Sequence, residues 1–208
     1  MKIEKIERSK HRQERILVFL EGGDLLRISE EDLLHFGLYQ GLDISPETVV
    51  ELKKSGEASK TREKAVRLVS AHPISCAELR KRLLRGGAEE ADADRAVGYL
   101  ERIGALDDEA YAAMLVRHYS ARGYGAARLR SELFQRGVPR ELWEDALHEA
   151  PPAEETIDAF LARRLHGEEP DEKERKRLQD TLLRRGFRRS EVDSALRSLG
   201  ANTEEEDS

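Results

Sequence analysis

The first thirty residues show the apolar pattern of short β-strands. An apolar run at residues 16–20 precedes the turn sequence Glu-Gly-Gly-Asp, and a second run at residues 25–28 follows it. Two apolar runs joined by a glycine-rich turn predict a β-hairpin. We expect the charged segment 3–8, which contains Ile3 and Ile6, to add an edge strand.

The spacing of apolar residues becomes helical after this hairpin. Ser29, with Asp32 three residues later, has the signature of a helix N-cap. Ser45 and Pro46 predict the start of another short helix. Residues 53–60 are polar and contain Gly and Ser, so we expect a linker or a helix break there.

From residue 60 onward the chain is predicted to be helical, and one helical motif occurs three times. The motif is Leu-x-x-x-Leu-(Leu/Phe)-x-x-Gly, and its copies are about 50 residues apart. The copies begin at Leu79, Leu129 and Leu178 and end at Gly87, Gly137 and Gly186. Each glycine stands where a helix ends in a left-handed residue. Units with a fixed period stack on their neighbours, so we expect three tandem units of three helices each.

The predicted fold is therefore mainly α, with a small N-terminal segment that contains the β-hairpin in front of the repeats. The predicted boundaries are 1–58 for the N-terminal segment, 59–106, 107–150 and 151–200 for the three repeats, and 201–208 for a disordered acidic tail. Ser75 is the predicted N-cap of the second helix in repeat one. Pro139 is the predicted first residue of the third helix in repeat two. Trp143 is a predicted core residue, and residues 166–171 separate the first two helices of repeat three.

The composition agrees with thin cores. Charged residues make up 38% of the chain and aromatic residues 5%, whereas an average domain is about 25% charged. The net charge of −6 comes from residues 1–58 and from the last eight residues, while the segment 59–200 is close to neutral. The net negative charge argues against a simple basic nucleic-acid binder. The basic side chains inside the repeats are clustered, however, and because salt screens charge over a short distance, such clusters can act locally despite the net charge.

Several classes of protein are disfavoured. No apolar run approaches the ~18 residues that a membrane span needs, and the charged start lacks the apolar region of a signal peptide. We therefore expect a cytoplasmic protein without membrane contact. Cys76 is the single cysteine, which excludes an internal disulfide and a cysteine-cluster metal site. No catalytic triad or phosphate-binding loop is recognisable, so we expect neither an enzyme nor a cofactor. A helix N-terminus explains the acids at 107–109 better than a metal site does.

Arginines recur on the second helix of each repeat. In register they would form a stripe suited to a phosphate backbone or to an acidic protein groove. The alternative is a set of solvated faces balanced by acids such as Glu78 and Glu132. Tyr119 and Tyr124 belong to a predicted loop between two helices. A tyrosine there, beside Arg122 and Arg128, is a candidate for stacking on a base or anchoring a protein interface. Its alternative role is packing over the helix junction.

The order of the motifs is more specific than any one of them. Repeat two contains Tyr-Ala at 111–112 and the run Gly-Tyr-Gly-Ala-Ala-Arg-Leu-Arg-Ser-Glu-Leu-Phe-Gln-Arg-Gly-Val at 123–138. Repeat one contains Glu-Leu-Arg-Lys-Arg-Leu at 78–83 and Tyr-Leu at 99–100, followed by Gly-Ala-Leu-Asp-Asp at 104–108. The N-terminal segment contains Gly-Leu-Tyr-Gln-Gly at 37–41. Together these motifs resemble the RecX family, whose members regulate the RecA recombinase.

The resemblance implies that the three three-helix repeats form a curved array behind the N-terminal segment. It also implies a non-enzymatic regulator that binds in the groove of the RecA filament on DNA. Such a protein would dampen strand exchange, ATP hydrolysis and the co-protease activity behind the SOS response, and thereby regulate DNA repair and recombination. We expect a monomer that binds single- or double-stranded DNA weakly on its own. The residues expected to contact RecA or DNA are Arg80, Lys81, Arg82, Arg85, Arg117, Arg122, Tyr124, Arg128, Arg130, Arg136, Arg177, Arg184 and Arg185.

Two other functions stay open at this point. Short helices at turn-like angles would also suit a direct DNA-binding module, which would bind naked DNA tightly and with a steep dependence on salt. A helical-repeat scaffold for some other protein is the second alternative.

Overall fold

The computed structural model describes residues 1–9, 15–166 and 170–201. In this part of the chain a small antiparallel sheet precedes ten α-helices, which confirms the predicted mainly-α fold with an N-terminal hairpin. Residues 202–208 of the predicted acidic tail, and residues 167–169 between the first two helices of repeat three, lie outside the described residues. The strands are β1 (Ile3–Arg8), β2 (Arg15–Leu20) and β3 (Leu25–Ser29).

The helices follow the sheet, and the chain divides into two compact units. The first five helices are α1 (Glu30–His35), α2 (Pro46–Ala71), α3 (Cys76–Arg85), α4 (Glu90–Arg102) and α5 (Asp108–Ala121). The other five are α6 (Ala126–Gln135), α7 (Trp143–His148), α8 (Ala153–Leu165), α9 (Glu172–Arg184) and α10 (Arg189–Ala201). Unit 1 comprises Met1–His72 and Leu79–Leu106, and unit 2 comprises Pro73–Glu78 and the described residues from Asp107 onward.

The sheet has β2 at its centre, paired antiparallel with β1 and β3. The side chains of Ile16, Val18 and Leu20 are buried while their neighbours are half-buried, because successive strand residues point to opposite faces. Gly22 in the turn between β2 and β3 has a φ of +102°, which glycine adopts without steric cost. Leu52 of α2 joins the core of buried strand residues.

The predicted N-cap at Ser29 is confirmed. The Ser29 hydroxyl accepts the N–H of Asp32 at 3.0 Å, and the Asp32 carboxylate accepts the N–H of Ser29 at 3.0 Å. The Ser55 hydroxyl of α2 donates to the same carboxylate. Burial alone would raise the pKa of Asp32, but these hydrogen bonds outweigh burial and hold the pKa below its usual value.

The predicted linker at residues 53–60 is wrong. The helix that begins after Ser45 runs without a break through this segment, so α2 has 26 residues and is not short. The reason lies in Gly56, which is buried and faces β3. A Cβ built on Gly56 would lie 2.3 Å from the carbonyl oxygen of Arg27, so glycine here allows helix and strand to approach closely.

The three repeated glycines end their helices in the predicted left-handed conformation. The φ angles after α3, α6 and α9 are +86° at Gly87, +72° at Gly137 and +92° at Gly186. The predicted N-cap of α3 is also confirmed, because the Ser75 hydroxyl accepts the N–H of Glu78 at 3.1 Å.

Two of these glycine turns also form junctions inside unit 2. The Ser75 hydroxyl donates to the carbonyl of Arg136, the residue before Gly137. In the same register, the N–H of Gly125 donates to the carbonyl of Arg185 at 2.9 Å, and the N–H of Ala127 donates to the carbonyl of Gly186 at 3.1 Å. The start of one second helix therefore meets the glycine turn that ends the next one. We call these two contacts the glycine junctions.

The second helix of repeat three, α9, starts differently from α6, the second helix of repeat two. α6 begins three residues before Leu129, whereas α9 begins six residues before Leu178. Asp171 caps this extra turn, because its carboxylate accepts the N–H of Glu174 at 2.6 Å. α9 therefore supplies its own cap, while the start of α6 bonds to a neighbouring turn.

The prediction that Pro139 is the first residue of the third helix in repeat two is wrong. Pro139 has a φ of −56° and a ψ of 139°, which is extended backbone, and it precedes a 3-10 turn at Arg140–Leu142. Only then does α7 begin, at Trp143. The Trp143 indole is half-buried, packs against the core of repeat two and donates to the carbonyl of Val138 at 3.0 Å.

The cores of unit 2 are narrow. One contains Leu115, Leu129 and Leu133 from α5 and α6, and the other contains Ile157 and Leu182 from α8 and α9. Each helix buries a single stripe, as an amphipathic surface helix does. This arrangement accounts for the low apolar content of the chain.

Candidate functional site

The loop between α5 and α6 gathers aromatic and basic side chains in unit 2. Gly123, with a φ of +76°, turns the chain after α5. This turn places the Tyr124 ring beside that of Tyr119, with ring centroids 6.0 Å apart. The His118 ring meets Tyr119 edge-on at 5.0 Å.

Arg185 ties this loop to the end of α9. One of its guanidinium nitrogens donates to the carbonyl oxygens of Arg122 at 2.9 Å and Gly123 at 3.1 Å. The guanidinium carbon lies 5.6 Å from the centroid of the Tyr124 ring and 4.7 Å from that of Phe160, which are cation–π distances. The Arg185 side chain therefore positions the loop as well as contributing charge.

Arg128 lies against the same tyrosine. Its guanidinium carbon is 5.7 Å from the centroid of the Tyr124 ring. The guanidinium also forms an ion pair with Glu132, whose side chain is only 6% exposed. A buried carboxylate needs a partner, so Arg128 is held at this place from both sides.

Arg136 completes the group from the other end of α6. Its guanidinium donates to the hydroxyl of Tyr119 at 3.4 Å. Burial tends to lower the pKa of Arg136, but interactions with Tyr111 and Tyr119 raise it overall. We define the tyrosine–arginine cluster by six residues: Tyr119, Arg122, Tyr124, Arg128, Arg136 and Arg185.

The tyrosine–arginine cluster carries an excess of positive charge. Within the described ranges, no carboxylate lies within 4 Å of the Arg122, Arg136 or Arg185 guanidinium. The only carboxylate that pairs with the cluster there is Glu132. Guanidinium groups without acidic partners, held beside tyrosine rings, are suited to binding phosphate oxygens and to stacking on bases.

The other predicted residues of unit 2 lie outside the cluster. Arg117 pairs with Glu149, and Arg130 pairs with Glu144 of α7 at 3.0 Å. Arg177 and Arg184 are exposed on α9, where Arg184 donates to the carbonyl of Asp180 at 3.2 Å.

The predicted basic residues of α3 belong to unit 1. The guanidinium of Arg80 bonds to the Asp94 carboxylate of α4, which raises the pKa of Arg80 and lowers that of Asp94. Arg82 Nη1 lies 2.7 Å from His72 Nε2. Lys81 and Arg85 are exposed. Arg80 is thus engaged within the fold, while the side chain of Lys81 projects into solvent.

Sequence reasoning placed Tyr119 in this loop but missed Phe160, which stacks on Arg185. It also missed the contacts by which Tyr119 holds Tyr124 and Arg136. One signal was present: Arg136 and Arg185 both come directly before the repeated glycine. That register places both residues at a glycine junction.

Two of the acids at 107–109, Asp107 and Asp108, accept hydrogen bonds from backbone N–H groups at helix N-termini. The Asp107 carboxylate accepts the N–H of Ala110 at 2.9 Å, and the Asp108 carboxylate accepts the N–H of Cys76 at 2.9 Å. Among the described residues, no three His, Cys, Asp or Glu side chains are grouped to hold a metal ion. In the same part of the chain, no helix is long and apolar enough to cross a membrane.

Comparison with known proteins identifies the repeats. Residues 62–100 match the first three-helix domain of RecX, and residues 107–147 match the second. A regulatory protein RecX of Trichlorobacter lovleyi is 35% identical over 131 residues, which cover 60% of this chain and 85% of that protein. One from Escherichia coli O1:K1 / APEC is 31% identical over 149 residues, covering 66% of this chain and 90% of that protein.

More distant relatives cover more of the chain. A regulatory protein RecX of Lactobacillus delbrueckii subsp. bulgaricus is 29% identical over 200 residues, covering 94% of this chain and 74% of that protein. A crystal structure of regulatory protein RecX, 24% identical, shares the fold with a TM-score of 0.74 over 95% of this chain and 98% of that one. The crystal structure of RecX from Lactobacillus salivarius, 20% identical, has a TM-score of 0.62 and covers 70% of this chain and 97% of that one. The predicted resemblance is confirmed, and the chain belongs to the RecX family of regulatory proteins.

Proposed function

We propose that this protein regulates RecA by binding in the groove of the RecA–DNA filament. Occupation of the groove would inhibit strand exchange, ATP hydrolysis and co-protease activity, and through them regulate DNA repair and the SOS response. Membership of a family of regulatory proteins supports this proposal. The observation that carries it is the tyrosine–arginine cluster, where three guanidinium groups have no carboxylate partner among the described residues.

The cluster would act as a prearranged binding surface. Arg185 and Arg128 are held by hydrogen bonds, an ion pair and the Tyr124 ring, so binding would cost them little side-chain entropy. Arg122 and Arg136 are exposed and can form bidentate hydrogen bonds with phosphate or carboxylate oxygens. The DNA of the filament offers phosphate oxygens, and acidic side chains of RecA would offer carboxylate oxygens.

Regulation by occupation requires no chemical step. The proposed regulator is therefore not an enzyme and needs no cofactor. We further propose that it acts as a monomer in the cytoplasm. Its affinity for naked DNA would be low, because the net charge of −6 opposes binding to a polyanion. On the filament, contacts with protein and DNA would add together.

The direct test is the ATPase activity of RecA on single-stranded DNA, measured with and without this protein. We expect the wild-type protein to lower the rate. The double variant Arg122→Glu/Arg136→Glu should inhibit at least tenfold less, because it replaces two phosphate-binding cations with anions. The matched control is Arg163→Glu/Arg197→Glu, which makes the same charge change at exposed arginines of unit 2 outside the cluster. This control should inhibit like the wild type.

Three results would contradict the proposal or the binding surface assigned to it. An unchanged ATPase rate at saturating protein, together with no filament binding in co-sedimentation, would favour a scaffold for another partner. Tight binding to naked duplex DNA with a steep salt dependence would favour a direct DNA-binding module. Equal inhibition by the cluster variant and the wild type would remove the cluster from the binding surface.

A further inference from the structure

A groove lies between α2 and α4 of unit 1. None of the residues that line it belongs to the binding site described above. Its volume is about 530 Å³, within the range of roughly 300–1,000 Å³ typical of ligand sites. The residues that carry the argument are Arg62 of α2 and Asp92, Arg95, Tyr99 and Arg102 of α4.

The acids of the groove are already engaged. Asp92, whose side chain is 7% exposed, pairs with Arg95 three residues later on α4. Asp94 bonds to Arg80 of α3. These ion pairs neutralise both carboxylates, so they do not cancel the remaining arginines.

Two arginines of the groove keep their charge available. Arg62 is half-exposed, and its nearest carboxylate is that of Glu31 at 3.9 Å, outside the groove lining. Arg102 is exposed and has no ion-pair partner among the described residues. The groove therefore presents two guanidinium groups to a ligand, which makes it selective for anions.

The aromatic ring of the groove is accessible. Tyr99 is 39% exposed, although a large aromatic side chain is usually covered. The guanidinium carbon of Arg62 lies 5.9 Å from the centroid of its ring. An exposed ring beside a guanidinium is the arrangement that stacks on a base and binds the attached phosphate.

We propose that this groove binds a nucleobase that carries a phosphate, as found in single-stranded nucleic acid and in free nucleotides. Tyr99 stacks on the base, and Arg62 and Arg102 bind the phosphate. Paired bases within a duplex hide their faces from such a ring, so duplex DNA is excluded. The inference goes beyond the regulation of RecA, because it concerns the protein alone and different residues.

The test uses the full chain without RecA and a fluorescein-labelled oligothymidylate, with binding followed by fluorescence anisotropy. Tyr99→Ala should weaken binding about tenfold, in line with one base stacked on an aromatic ring. Tyr99→Phe should bind like the wild type, because the ring remains. Arg102→Gln should reduce the slope of log K against log salt by about 0.7, as expected for one lost phosphate contact to a single strand.

Matched controls come from the same unit. Tyr39→Ala removes an exposed tyrosine outside the groove, and Arg67→Gln removes an exposed arginine of α2 outside it. Both should bind like the wild type. Binding by Tyr99→Ala equal to that of Tyr39→Ala would overturn the proposal, and so would equal competition by duplex DNA.

Competition separates the two sources of the ligand. Displacement of the labelled strand by thymidine monophosphate assigns the groove to free nucleotides, and displacement by unlabelled strand alone assigns it to nucleic acid. Displacement by inorganic phosphate to the same extent would contradict a role for the base. This assay contains no RecA and does not measure its inhibition. The test of nucleotide binding in the groove can therefore fail or succeed independently of the test of RecA regulation.

Discussion

Gly186 lies against the backbone of Arg128 so closely that a Cβ on the glycine would be 2.5 Å from the Arg128 amide nitrogen. Real Cβ atoms do not approach backbone this closely. The glycine is thus required twice, once for its left-handed φ of +92° and once for the close approach at a glycine junction.

Gly186→Ala should therefore destabilise the protein more than Gly87→Ala. Both variants force a side chain into the left-handed region, at about 1–2 kcal/mol. Only Gly186→Ala adds a backbone clash, which should cost roughly 1–3 kcal/mol more, since nothing among the described residues lies within 4 Å of a Cβ on Gly87. Urea denaturation of the two variants measures the difference. Equal losses would mean that the glycine junction tolerates the methyl group.

Arg185→Gln should loosen the loop that carries Tyr124. The variant loses two hydrogen bonds to loop carbonyls and two cation–π contacts, worth together about 1–2 kcal/mol at this partly exposed position. Amide hydrogen exchange at Gly123 and Tyr124 should speed up about tenfold. Arg184→Gln is the control, because this neighbouring arginine is exposed and bonds only within α9. Unchanged exchange in Arg185→Gln would show that the backbone hydrogen bonds alone hold the loop.

Local patterns predicted most of the fold. The hairpin, the caps at Ser29 and Ser75 and the three left-handed glycines each depend on residues that are close in sequence. Gly56 could not be interpreted in this way, because its role depends on Arg27 of another element. A glycine among polar residues is typical of a break in the chain, and only the packed structure shows that it serves close approach.

The candidate site was predictable only in part. The repeated register indicated that arginines would recur on the second helices. It could not show that Arg185 lies over Tyr124, because that contact joins residues about sixty positions apart through a glycine junction. It also could not separate Arg130, which pairs with Glu144, from Arg136, which has no carboxylate partner in the described ranges. Whether an arginine of α6 is paired depends on the acidic residues that the neighbouring helix places beside it, as α7 does with Glu144.

Two glycines inside helices should respond to alanine with opposite signs. Gly98→Ala in α4 should stabilise the protein by about 0.5–1 kcal/mol, because alanine favours helix and the space at this position is open within the described residues. Gly56→Ala gains the same helix propensity, but its Cβ would meet the Arg27 carbonyl at 2.3 Å, so a net loss of roughly 1–3 kcal/mol is expected. Thermal unfolding of both variants provides the comparison. A stabilised Gly56→Ala variant would contradict the close approach of α2 to β3.

The capping box at Asp32 should make stability depend on acid pH. The hydrogen bonds from Ser55 and Ser29 outweigh burial and lower the pKa of Asp32 below its usual 3.8. A lowered pKa in the folded state means that the carboxylate stabilises the protein fully above pH 3.8, and that this contribution is lost as pH falls through the lowered value. Asp32→Asn should therefore unfold at less urea than wild type at pH 7, and the difference should shrink below pH 3.8. A difference that stays constant with pH would show that the charge of Asp32 has no part in it.

The extra turn at the start of α9 prevents a further repeat from joining repeat three through a glycine junction. In the repeat register, Glu174 and Lys176 correspond to Gly125 and Ala127, whose amides bond to the neighbouring glycine turn. The Glu174 amide already bonds to Asp171, and Lys176 lies far enough into α9 for its amide to bond within the helix. A duplicated fourth repeat would find no free donor there. Lengthening this protein by gene duplication or by design would first require removal of the turn that Asp171 caps.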